Sequence, residues 1–129
     1  CIWDPRRNDL DLDLCRKMLS EREQVKDNFY GDFYPLTPYD TRHDSWMAWQ
    51  FNRPEDTAGI VQAFRRPKSS AVTMQLKLFG LDPEASYEVR DADSDKTTRH
   101  RGATLMAEGL VVTLPQQRQA VILQYSKIN

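Results

Sequence analysis

From Asp9 the string DLDLDLCRKMLSEREQVKDNFY runs without glycine or proline, and Leu14, Cys15, Met18, Leu19, Val25 and Phe29 recur in it at helical spacing. Asp9, Asp11 and Asp13 sit where a helix amino terminus favours negative charge. The spacing therefore predicts one long amphipathic helix over 9–30. Gly31 follows the last periodic residue, as a carboxy-terminal cap would, and Pro35 and Pro38 forbid continuation. Residues 31–44 then read as a linker, extended and held in order by its aromatic side chains.

Beyond the linker the period changes. Short runs rich in β-branched and aromatic residues cover 45–52, 59–66, 71–79, 86–91, 96–100, 110–114 and 120–126. Turn chemistry separates them, as in Arg66-Pro67-Lys68-Ser69-Ser70, Gly80-Leu81-Asp82-Pro83 and Asp91-Ala92-Asp93-Ser94-Asp95. Residues 103–108, closed by Gly109, suit a single helical turn. Val72, Met74, Leu76 and Leu78 alternate with Thr73, Gln75 and Lys77, so that strand is buried on one face. Ala120 to Leu123 with Tyr125 is apolar on both faces, which suits a central strand. The expected fold is mainly β: a small antiparallel β-sandwich of about seven strands, preceded by one long amphipathic α-helix. Its segments are 1–30, 31–44 and 45–129.

The stretch YGDFYPLTPYDTRHDSWMAWQF, residues 30–51, is crowded with aromatics but offers no obvious acid, base or nucleophile pair. In a regular strand Trp46, Ala48 and Gln50 share one face while Met47, Trp49 and Phe51 share the other. The two tryptophans then cannot form one flat platform. Met47, Trp49 and Phe51 read as core, which turns Trp46 outward. Tyr34, Tyr39, His43 and Trp46 are thus the candidates for contact with a neighbouring protein surface or with a sugar.

Charge narrows the partners. With 18 basic and 19 acidic residues, net −1, the chain has no field to attract nucleic acid or an anionic membrane. No apolar run approaches the roughly 20 residues of a membrane span, and no signal-peptide pattern opens the chain, which leaves its compartment open. Cys1 and Cys15 are too few for a disulfide framework and lack zinc-site spacing. Because the chain starts on Cys1 in mid-pattern, it is expected to be a piece of a longer polypeptide.

The DLDLD and DADSD strings resemble calcium loops, but they lack the glycine at position six and the glutamate at position twelve that such a loop requires. His43 and His100 have no second ligand at metal spacing. Ser45, Ser69, Ser70 and Ser86 lie at turns or strand starts with no nucleophile motif around them, and the acids cluster at turns and at the helix start. No cofactor, no metal and no catalytic residue is expected.

Taken in order, YGDFYPLTPY, WMAWQFNRPEDTAGIVQAFRR, LFGLDPEASYEVRDADS and LMAEGLVVTL, followed by the closing apolar strand, resemble the carboxy-terminal end of the α-galactosidases of glycoside hydrolase family 36. The resemblance runs from about Asp9 to Ser126. It implies a small terminal β-sandwich behind a catalytic (β/α)₈ barrel, with the helix at 9–30 as the last barrel helix or its extension. It also implies a parent enzyme that hydrolyses terminal α-galactosides with retention, using two barrel aspartates that lie upstream of this chain. The expected role is a non-catalytic domain that stabilises the barrel, with an inactive fragment prone to self-association through its bare helix. A carbohydrate-binding module is the alternative, and a stand-alone enzyme the third class.

Overall fold

Asp11 starts the helix. Its carboxylate accepts a hydrogen bond from the Leu14 amide at 3.0 Å, and Asp13 adds negative charge to the first turn. In this computed structural model, which describes residues 11–38, 45–116 and 119–128, α1 spans Leu12–Val25. The chain then tightens into a 3₁₀ turn, Lys26–Tyr30, where the expected α-helix would have continued. Asn28 explains the change, because its side-chain amide donates to the Val25 carbonyl at 3.1 Å and so competes with the helical pattern. Gly31 closes the turn, its amide donating to the Asn28 carbonyl at 2.9 Å, in an extended rather than left-handed conformation. Glycine is needed there for proximity, since a Cβ would sit 2.5 Å from the Asn52 carbonyl oxygen.

The expected linker supplies a strand. β1 (Asp32–Pro35) pairs antiparallel with β2 (Trp46–Arg53), Asp32 facing Asn52 and Pro35 facing Trp49. Four residues ending in proline carry no readable alternation, and only the pairing reveals them. The expected runs appear as β2, β3 (Ala58–Arg65), β4 (Thr73–Leu76), β5 (Ser86–Asp91), β6 (Thr97–Arg101), β7 (Leu110–Thr113) and β8 (Ala120–Ile128); α2 (Gly102–Ala107) is the single helical turn. One antiparallel sheet has the order β1-β2-β3-β8-β5-β6, and β4 with β7 forms the second. β8 lies centrally, as its two apolar faces suggested.

The core lies between the sheets, where Val61, Leu76, Leu105, Leu110, Val112 and Tyr125 are buried. β2 exchanges the expected faces. Trp46, Ala48, Gln50 and Asn52 point into the core, while Met47, Trp49 and Phe51 lie on the outer face and are only partly buried. The more polar face can be the inner one because Gln50 and Asn52 are buried inside a satisfied network. Gln50 donates to the Phe79 carbonyl (2.9 Å) and to the Tyr125 hydroxyl (2.7 Å), and its own oxygen accepts from the Phe79 amide (2.9 Å). Tyr125 donates to Asn52 Oδ1 at 2.7 Å, and Asn52 donates to the Gly80 carbonyl at 3.3 Å. The network fastens the loop after β4 to the six-stranded sheet.

Candidate docking surface

Helical geometry puts Leu14, Met18 and Val25 on one line of α1 and Leu12, Cys15 and Leu19 on the adjacent line. Only Val25 is buried. Leu12, Leu14, Met18 and Leu19 are between 46% and 52% exposed, too much for the apolar stripe of a helix whose partner is present. The helix is held instead at its polar flank. Lys17 Nζ lies 3.1 Å from Asp93 in the β5–β6 turn, and Arg90 of β5 donates to Gln24 at 3.3 Å. Glu21 sits beside this pair, its pKa raised by burial and by Asp93; that of Asp93 is lowered by its hydrogen bonds from Lys17 and Glu21. These groups tether helix to hairpin, and two clefts open beside them: one of about 220 Å³ lined by Glu21, Asp93, Gln62 and Phe64, and one of about 290 Å³ lined by Gln24, Arg90, Asn28 and Glu88.

An aromatic chain leaves the end of the helix. Phe29 meets Phe51 edge-on with ring centroids 5.1 Å apart, and Phe51 meets Phe33 of β1 at 5.3 Å. Phe29, Phe33 and the 91% exposed Tyr30 remain open to solvent. Beside Phe33 a groove of about 270 Å³ is walled by Pro35, Pro38, Met47, Trp49 and Arg66. Trp49 is fixed in it by donating to Gln62 Oε1 and by contact with Phe64 at 5.2 Å. Among the described residues the half-exposed helix stripe and this outer aromatic patch together form an apolar surface.

Of the residues singled out in the sequence, Trp46 is 4% exposed, its indole donating to the Ala71 carbonyl at 2.8 Å, and so has no surface left for a ligand. Tyr34 is half-buried and stacks on Phe79 at 5.2 Å with planes 15° apart. Tyr39 and His43 lie outside the described residues. Phe33, Trp49 and Arg66 were missed as surface groups, since the strand's parity was legible but not which face met the second sheet. Among the described residues no group of three His, Cys, Asp or Glu side chains could hold a metal. His100 is engaged with Thr98 Oγ1 at 2.8 Å.

Residues 46–124, more than half of the chain, match the family described as the glycosyl hydrolase family 36 C-terminal domain. Among curated proteins no match was found. Solved structures are similar in fold. The GH36 α-galactosidase AgaA of Geobacillus stearothermophilus, in a complex with raffinose, is 17% identical with a TM-score of 0.74; the match covers 95% of this chain and 17% of that one. AgaB of the same organism is 21% identical with a TM-score of 0.69, over 95% of this chain and 16% of its own. The galactosidase domain of the α-galactosidase-sucrose kinase AgaSK is 20% identical with a TM-score of 0.63, over 88% and 15%. The chain thus spans about one sixth of the length of the structures it resembles. With the family match covering more than half of its residues, the chain belongs to the glycosyl hydrolase family 36 C-terminal domain family.

Proposed function

We propose that the chain is the non-catalytic terminal domain of an α-galactosidase-like glycoside hydrolase, and that it stabilises the catalytic (β/α)₈ barrel of the same polypeptide by docking on it. The observation that carries this reading is the bare stripe of α1. Leu12, Leu14, Met18 and Leu19 are half exposed on a helix whose polar flank is already fastened to the sandwich. An apolar stripe of this kind gains stability only by being covered, as an interdomain interface covers it. Phe29, Phe33 and Tyr34 would extend the covered area toward β1. Hydrolysis of terminal α-galactosides with retention would then belong to barrel carboxylates outside this chain.

The test compares the chain alone with the longer enzyme, using release of p-nitrophenol from p-nitrophenyl α-galactoside. The chain alone is expected to be inactive. In the longer enzyme a Met18→Glu, Leu19→Glu pair is expected to lower the melting temperature while KM at temperatures below the melt stays unchanged. Turnover by the chain alone, or a double variant as stable as the parent, would refute the reading.

The groove at Trp49 favours one second reading, a sugar contact. An ordered indole next to Phe33 and a guanidinium supplies a stacking face and hydrogen-bond donors. Saturable quenching of Trp49 fluorescence by galactose or raffinose, lost in Trp49→Ala but kept in Trp46→Phe, would support it; a flat titration would dismiss it.

A further inference from the structure

The two sheets are unequal, six strands against two, so among the described residues part of the inner face of the large sheet has no strand above it. That part is at β5–β6. Thr98 lies opposite Val89 and His100 opposite Tyr87, hence on the same inner face, yet Thr98 is exposed. A groove of about 360 Å³ runs there between the β5–β6 hairpin and β7. Its β7 side is made by the consecutive residues Leu110, Val111, Val112, Thr113 and Leu114. Successive side chains of a strand point to opposite faces, so a wall of consecutive residues means that the strand's edge is turned to the groove.

The register says which groups point there. The Leu114 amide donates to the Val72 carbonyl at 2.8 Å, which makes Val72 and Leu114 a hydrogen-bonded pair of the antiparallel ladder. Alternation then makes Met74 with Val112 and Leu76 with Leu110 bonded pairs as well. Val111 and Thr113 fall in the non-bonded positions opposite Gln75 and Thr73, and their N–H and C=O groups point away from β4 into the groove. Among the described residues no strand lies on that side. The edges of the large sheet are guarded, since β1 carries Asp32 and Pro35 and β6 carries Arg99 and Arg101; β4, like β7, has neither charge nor proline, but its outward side chains Thr73 and Gln75 are polar. β7 has neither charge nor proline, and Val111 is 57% exposed.

We propose that the free edge of β7 is a docking site for an extended segment of another protein, apolar at alternate positions. The segment enters the groove, exchanges backbone hydrogen bonds with Val111 and Thr113 and lays its apolar side chains over Val89, Val121 and Leu123. The backbone groups choose the occupant, because a row of outward amides and carbonyls at strand spacing is satisfied by a strand and not by a helix or a compact ligand.

The test uses the 129-residue chain with nitrogen-15 label and, as probe, the blocked peptide acetyl-Lys-Thr-Val-Thr-Val-Thr-Val-Lys-amide. The expected result is saturable shifts and slowed amide exchange at Val111 and Thr113. The same peptide with its central valine replaced by proline should bind about tenfold more weakly, the loss expected for one or two hydrogen bonds. Val111→Pro removes the outward amide at an edge position where proline is tolerated and should weaken the valine peptide similarly with an unchanged melt. If that variant unfolds, Val111→Lys, which keeps the backbone and adds an edge charge, serves in its place and should also weaken binding. No shift up to millimolar peptide overturns the proposal. Equal binding of the proline peptide overturns it too, by showing a groove that takes apolar groups without strand pairing. Val111 and Thr113 signals that move with protein concentration alone would assign the edge to a second copy, and equally overturn it.

Discussion

Gln50 is fully buried on a strand face that it shares with Trp46, Ala48 and Asn52, and every polar atom of its amide is used. Replacing Tyr125 with phenylalanine would leave the Asn52 oxygen and one Gln50 proton unpaired in the core. Tyr125→Phe is expected to cost about 1–3 kcal/mol, read as a lower denaturant midpoint with the slope unchanged. The same hydroxyl predicts an alkaline limit. Burial pushes its pKa well above the ordinary 10.0, so the neutral form belongs to the folded state. Its contribution is complete below pH 10.0 and is lost as pH rises beyond it, because unfolding then releases the proton. Tyr125→Phe should flatten that limb of the stability curve. Gly59 completes the arrangement, since a Cβ there would collide with the Tyr125 hydroxyl and the Phe51 carbonyl. Gly59→Ala is expected to destabilise by about 1–3 kcal/mol, checked by thermal melting. None of this was legible in the sequence, where Met47, Trp49 and Phe51 read as the core face and left Gln50 with Trp46 on the outer one.

At the scale of elements, α1 is attached more by polar contacts than by packing. Val25 is its only buried residue, so amide exchange in the first turns of α1 should be far faster than in β3 or β8. The tether to the hairpin should also respond to pH. Burial and the nearby Asp93 raise the Glu21 carboxyl, so docking weakens as pH rises from the ordinary 4.5 through the raised value. Hydrogen bonds from Lys17, then Glu21, lower Asp93, so docking strengthens as pH rises through that lowered value toward 3.8. The contact is therefore expected to be firmest between the two limbs. Chemical shifts of α1 amides across pH would show it, with Glu21→Gln removing the upper limb and leaving the acid one. The helix itself was legible from its period and its aspartate cap. Its 3₁₀ end was not, because that depends on how Asn28 folds back onto Val25.

At the scale of the molecule, the exposed stripe predicts that the chain alone self-associates reversibly, because apolar area without its partner is covered by the next available apolar area. Sedimentation should show mass rising with concentration, and Leu14→Glu with Met18→Glu should restore a monomer; a monomeric parent chain would count against it. The helix, seven of the strands, the central place of β8 and the family were legible without coordinates, because each of these is written in local period, turn chemistry or motif order. The tertiary structure alone decided that 32–35 is a strand, since four residues become β only through their partner in β2. It alone decided that Trp46 faces inward and Trp49 outward. Parity along a strand separates two faces but does not name the one that a second sheet will cover, and a satisfied hydrogen-bond network can bury the more polar of the two.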